Sequence, residues 1–130
     1  MTDPIADMII RIKNAVLAGK DTVSVPYSGF KYAIAEKLKR RGYVAELTPR
    51  GKKSGKTIEL VLARTAEGIF RVSDVRRISR PGRRVYVGAA DLKPVRGGTG
   101  TQLVSTSKGV FFGDEARKDG TGGELLFEIW

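Results

Sequence analysis

Asp3-Pro4-Ile5-Ala6-Asp7-Met8-Ile9-Ile10-Arg11-Ile12-Lys13-Asn14-Ala15-Val16-Leu17-Ala18-Gly19, followed within three residues by Thr22-Val23-Ser24-Val25-Pro26, sets two hydrophobic periods side by side. Over residues 4–19, Ile5, Met8, Ile9, Ile12, Val16 and Leu17 recur at three-four spacing, which predicts a helix with one apolar stripe. Asp3 is the N-cap expected of it, and Pro4 fills the first helical position, where a missing N–H costs nothing. Gly19 is its stop. Arg11, Lys13 and Asn14 fall towards the opposite face. From Thr22 the period drops to two, the signature of a short strand that ends at Pro26. A helix handed directly to an alternating strand points to an α+β chain.

Working outward, Ser28 is placed to cap a second helix over 29–41, with Phe30, Ile34 and Leu38 as its apolar line and Gly42 as its end. Tyr43–Thr48 and Thr57–Leu62 read as two strands. The connection between them, residues 49–56, carries four positive charges and no negative one, as a solvent-reaching loop would. The first lobe is therefore ordered α-β-α-β-β. Beyond it, Val85–Val87, Gln102–Thr106, Gly109–Phe112 and Glu124–Trp130 read as strands, with room for only a short helix at Asp114–Lys118. The expected fold is α+β with two small lobes: an N-terminal α+β domain over 1–65 and a mainly β domain over 66–130.

Composition narrows the chemistry. Twenty-four Lys and Arg face fourteen Asp and Glu, a formal charge of +10. Solubility alone needs a magnitude of only about 2 to 8. The excess costs folding energy by self-repulsion and implies a polyanionic partner, of which a compact protein this size touches about six to ten phosphates. With no Cys and no His, disulfides, thiolate nucleophiles, finger-type zinc sites and the commonest general base are excluded, and no cofactor is expected. Met1-Thr2-Asp3-Pro4 lacks the basic flank and apolar run of a secretory signal, and no apolar stretch approaches the roughly 20 residues of a membrane span. The expected setting is the cytoplasm.

Three basic groups stand out: Lys37, Lys39, Arg40 and Arg41; Arg50, Lys52, Lys53 and Lys56; and Arg76, Arg77, Arg80, Arg83 and Arg84 around the turn Ser79-Arg80-Pro81-Gly82. Any one of them reads equally well as a solvated face; together they suit phosphate contact. More informative is Ser105-Thr106-Ser107-Lys108-Gly109, three short hydroxyls and a Lys-Gly turn. Hydroxyls both donate and accept, so they can meet phosphates, 2′-hydroxyls and base edges at close range. The competing account is a polar turn whose hydroxyls cap local backbone groups. A Ser107–Lys108 nucleophile pair is disfavoured because neighbours on a strand point to opposite faces. Gly97-Gly98-Thr99-Gly100 lacks the spacing of a dinucleotide fingerprint, and residues 51–56 do not match a P-loop. Few aromatics are available for base stacking, with Tyr27 and Tyr86 the least settled, so folded RNA fits better than single strands.

Several ordered motifs also resemble one family. Asp3-Pro4-Ile5-Ala6-Asp7-Met8 with Arg11-Ile12-Lys13-Asn14-Ala15, then Ile78-Ser79-Arg80-Pro81-Gly82-Arg83-Arg84-Val85-Tyr86, Ser105-Thr106-Ser107-Lys108-Gly109-Val110, Asp114-Glu115-Ala116-Arg117 and Gly122-Gly123-Glu124-Leu125-Leu126 resemble bacterial small-subunit ribosomal protein S8, from end to end. The resemblance implies a non-enzymatic, two-domain protein that binds the central domain of 16S ribosomal RNA directly and helps assemble the platform. It also implies neighbouring small-subunit proteins and, in relatives, the protein's own operon messenger RNA as partners. It implies RNA contact through Ser105, Thr106, Ser107 and Lys108, and through Thr2, Asp3, Pro4, Arg11 and Asn14 on a second edge. Arg80, Arg83, Arg84, Lys52 and Lys53 are the phosphate contacts expected from charge. Thr101-Gln102 and Phe111-Phe112-Gly113 depart from the family's pattern, leaving the hydroxyl run intact. Another structured-RNA-binding or protein-bridging module is the alternative.

Overall fold

The computed structural model describes residues 3–52, 55–95, 98 and 100–130, and these form two compact units. One unit is Asp7–Ser73; the other joins residues 3–6 to Asp74–Trp130.

The first unit holds most of helix α1 (Pro4–Ala18), then β1 (Thr22–Pro26), α2 (Gly29–Arg40), β2 (Val44–Arg50) and β3 (Thr57–Leu62). The three strands make an antiparallel sheet in the order β1-β3-β2. Register sets Val23 opposite Leu60 and Val25 opposite Ile58, so the period-two apolar residues share one buried face. Met8, Ile9, Ile12 and Ala15 of α1 and Ile34, Ala35 and Leu38 of α2 complete this core. Ser28 caps α2 as expected, its Oγ accepting the Lys31 N–H at 3.1 Å. Two expectations about the stripes are corrected. Leu17 is 76% exposed, its place on α1 taken by buried Ala15. Phe30 is 42% exposed, and the buried line of α2 runs Lys31, Ile34, Ala35, Leu38. That line has full helical i, i+3, i+4, i+7 spacing, and an aliphatic lysine stem serves it as well as a ring does.

The second unit is built on β8 (Gly123–Ile129), flanked by β6 (Thr101–Thr106) on one side and by β4 (Val75–Arg77) and β5 (Tyr86–Val87) on the other, with β7 (Gly109–Phe112) beyond β6. All pairings are antiparallel. The run Leu125-Leu126-Phe127 is wholly buried because a bulge interrupts the β6–β8 ladder: Leu103 pairs with Phe127 and Val104 with Leu125. The carbonyl of the extra residue, Leu126, instead accepts the Ile78 N–H at 3.1 Å and the Arg77 guanidinium at 2.6 Å. A single 3-10 turn (Ala89–Asp91) and the short helix α3 (Gly113–Asp119) complete the unit. Leu92, Val104, Ala116 and Leu125 form a cluster that includes a residue of α3. The α+β fold class read from the sequence is the one observed.

Candidate nucleic-acid interface

Strands β6 and β7 form a hairpin whose last pair is Thr106 with Gly109, leaving Ser107 and Lys108 as the two loop residues. Gly109 has φ of 121°, a value L side chains rarely adopt, so the tightness of the turn depends on glycine there. Thr106 is occupied within the turn: its Oγ1 donates to the Gly109 carbonyl at 2.8 Å and accepts the Lys108 N–H at 3.1 Å. The local capping account is therefore right for Thr106. Ser107 is exposed and its hydroxyl has no partner among the described residues, while Ser105 is half-buried at the strand's end. The Lys108 ammonium lies 2.9 Å from Asp119 Oδ2, which also accepts from Thr121 Oγ1 at 2.5 Å. Hydrogen bonds from Thr121 and Lys108 hold the Asp119 carboxyl below its usual range.

Behind the turn, Ser105 stands opposite Glu124 of β8, and Glu124 stands opposite Tyr86 of β5. Residues directly opposite in a ladder share a face, so Ser105, Glu124 and Tyr86 form one row across three strands. Tyr86 is 71% exposed at its outer end. The strands reach this spacing because residues 122 and 123 are glycine. A Cβ on Gly123 would overlap the Ser105 carbonyl, and one on Gly122 would overlap the Val87 carbonyl.

Glu124 also anchors the arginine turn. Its Oε2 accepts from the fully buried Ser79 hydroxyl at 2.6 Å and from Arg84 at 3.0 Å, while Ser79 Oγ accepts the Val85 N–H at 3.1 Å. Between these anchors Arg80 and Arg83 exchange backbone hydrogen bonds of 3.1 and 2.9 Å, closing a tight turn. The five arginines thus divide. Arg77 is paired with Asp3 and Arg84 with Glu124, whereas Arg76, Arg80 and Arg83 make no side-chain ion pair among the described residues.

Residues 3–130 match the family model described as ribosomal protein S8. The chain belongs to the ribosomal protein S8 family. Curated relatives named small ribosomal subunit protein uS8 include those of Corynebacterium efficiens and Kocuria rhizophila, each 45% identical over 130 residues. That of Roseiflexus castenholzii is 42% identical over the same length. Each comparison covers all of this chain and 98% of the relative. The resemblance seen in the ordered motifs is therefore a family membership.

On this S8 scaffold the other expected contact residues are distributed as follows. Thr2 and Lys53 lie outside the described residues. Asp3 has its carboxylate bound to Arg77 and to the Ala6 N–H, and Pro4 is exposed at the start of α1. Arg11 belongs to the first unit, bridging Asp7 at 3.0 Å and the Ser24 carbonyl at 3.0 Å; Asn14 and Lys52 are exposed in that unit. Sequence reasoning missed Ser79, Glu124 and Asp119, whose roles come from partners 45, 40 and 11 residues away. It also missed Lys31, which is buried. Burial pushes the Lys31 pKa down, with nearby Asp7 opposing and Arg11 reinforcing that shift. Tyr86 carried one usable signal: an aromatic in a short strand, two residues after Arg83-Arg84, has little core to enter.

Proposed function

We propose that this S8-family chain is a structural, non-catalytic constituent of the small ribosomal subunit. On this reading it binds the central domain of 16S ribosomal RNA directly and helps organise the platform during assembly, in the cytoplasm. The observation that carries the reading is the Ser107-Lys108 turn, which holds a hydroxyl without a partner among the described residues just beyond the cross-strand row of Ser105, Glu124 and Tyr86. A pre-shaped edge of small hydroxyls enters a shallow RNA minor groove, and an exposed ring beside it stacks on an unpaired base. Arg80 and Arg83, fixed at the backbone and without a side-chain ion pair among the described residues, supply phosphate contacts that set orientation.

The mainly β part of the chain, expected over 66–130, carries the principal contact in this proposal. The segment expected as domain 1–65 offers Arg11, Asn14, Lys52 and Lys53 as a further phosphate-facing set. Neighbouring small-subunit proteins are the protein partners, and the chain's own operon messenger RNA is a second RNA target if it imitates the ribosomal site.

Filter binding of a folded central-domain RNA fragment, in competition with unrelated RNA at physiological salt, tests the reading. The expected result is a preference of about a thousand-fold or more, the lower end of the range for specific nucleic-acid binders. Ser107→Ala should cut affinity for the fragment about ten-fold at an unchanged salt slope, since it removes a neutral hydrogen bond and no charge. Equal affinity for both RNAs would refute the proposal.

A further inference from the structure

The cation of the hydroxyl turn is answered from within the chain. Lys108 Nζ and Thr121 Oγ1 both donate to Asp119 Oδ2, and Asp119 Oδ1 has no donor among the described residues. Asp119 is the last residue of α3, whose end closes through the left-handed Gly120. A carboxylate there faces the partial negative charge of the final carbonyls, an unfavourable place for an acid. Local helix chemistry therefore does not account for it, whereas the two donors do.

We propose that Asp119 is a specificity-determining residue for RNA: it cancels the charge of Lys108 at the hydroxyl turn and turns that edge from a phosphate binder into a reader of hydrogen-bond donors. The proposal rests on the RNA-binding reading above. A carboxylate only accepts, so its free oxygen repels a phosphodiester but accepts from a 2′-hydroxyl or an exocyclic amine. In a chain of net charge +10, attraction to any polyanion is already abundant, and an unpaired lysine beside Ser107 would add indiscriminate attraction where fit must decide. Arg80 and Arg83, without such a partner, keep the general phosphate role. Discrimination at the turn comes in part from this repulsive element.

The test uses the full chain, Asp119→Asn, Lys108→Met and the double variant, with two probes: the folded central-domain fragment and poly(U). Asp119→Asn frees one cation, so its poly(U) salt slope should steepen by about 0.7 and its low-salt poly(U) affinity should rise about three-fold or more. Its preference for the fragment over poly(U) should fall by at least that factor. The double variant should return to the slope of Lys108→Met. An unchanged poly(U) slope, or an unchanged or higher preference, in Asp119→Asn would overturn the proposal while leaving RNA recognition intact. A wild-type chain with no preference for the fragment would overturn the RNA-binding reading itself, and the proposal with it.

Discussion

Asp3 and Arg77, 74 residues apart, are joined by two hydrogen bonds, from Nε to Oδ2 at 3.1 Å and from Nη2 to Oδ1 at 3.2 Å. The same guanidinium donates to the Leu126 carbonyl at 2.6 Å, and Asp3 Oδ1 accepts the Ala6 N–H at 3.1 Å. One acidic residue thus caps α1 and neutralises an arginine whose side chain is only 8% exposed. Burial alone pushes the Asp3 carboxyl up, but the Arg77 and backbone hydrogen bonds and the arginine charge outweigh it, and the group sits below its ordinary 3.8.

Asp3→Asn keeps a competent helix cap and leaves Arg77 without its counter-charge. The expected loss is about 2 to 3 kcal/mol at neutral pH, below the roughly 3 to 5 kcal/mol of a fully buried pair because Asp3 is partly exposed. Because the folded pKa is depressed, the contribution is fully present above the ordinary value and is lost as pH falls through the folded one. Urea melts should therefore show the gap between wild type and variant closing below about pH 4; a gap independent of pH would refute the pairing.

The arginine turn makes a second, separable prediction. Arg80→Ala and Arg83→Ala remove cations with no side-chain ion pair among the described residues, so each should flatten the salt slope of RNA binding by about 0.7 to 0.9 with stability changed by under about 0.5 kcal/mol. Arg84→Ala should behave differently. It leaves Glu124, 18% exposed, with only Ser79 as a donor among its side-chain partners, and should cost about 1 kcal/mol of stability with a smaller change in slope. Salt-dependent filter binding alongside thermal melts separates the two classes, and the same slope change for all three variants would contradict the division.

Much of this fold was legible because its signals are local. The helix α1 with Ile5, Met8, Ile9 and Ile12 inside, the cap at Ser28, the alternation of β1 and β3 and the Ser-Lys turn each rest on neighbouring residues, and each formed where its pattern placed it. Residues whose meaning is set by a distant strand were not legible. Ser79 reads as one polar residue of an arginine turn, yet it is fully buried because Glu124 reaches it from β8. Phe30 looked like core by hydrophobicity, but helical phase, fixed by the cap one residue before α2 begins, assigned the interior position to Lys31. Of the proposed contact edge, the hydroxyls and arginines were visible; their sorting into those with and without partners among the described residues depends on contacts that only the folded chain supplies.

Gly123 tests whether the hydroxyl turn needs its sheet behind it. A methyl group at this position meets the Ser105 carbonyl, which is backbone and cannot rotate away. Gly123→Ala should destabilise the chain by about 2 to 3 kcal/mol, the cost of overpacking a closed contact, and should weaken RNA binding beyond any loss of folded protein. Gly109→Ala is the comparison: space around it is open, so its penalty comes from φ alone and should be nearer 1 kcal/mol. Equal penalties in chemical denaturation would mean that the β8 strand can move aside.

Gln102 of β6 and Gly113 at the start of α3 touch. A Cβ on Gly113 would stand 2.8 Å from Gln102 Oε1 and 3.3 Å from its Cβ, so the longer side chain in β6 occupies space that glycine at the start of α3 leaves open. Glycine at a helix start is otherwise a modest liability, about 0.5 to 1 kcal/mol relative to alanine in a helix interior. Gly113→Ala in the wild-type background should therefore be neutral to mildly destabilising, the helical gain offset by displacement of Gln102. With Gln102→Ala already present the same substitution should stabilise by about 0.5 kcal/mol or more. The sign reversal gives a coupling energy of about 1 kcal/mol between the sites, which a double-mutant cycle in urea resolves. Simple additivity would show that the contact constrains neither residue.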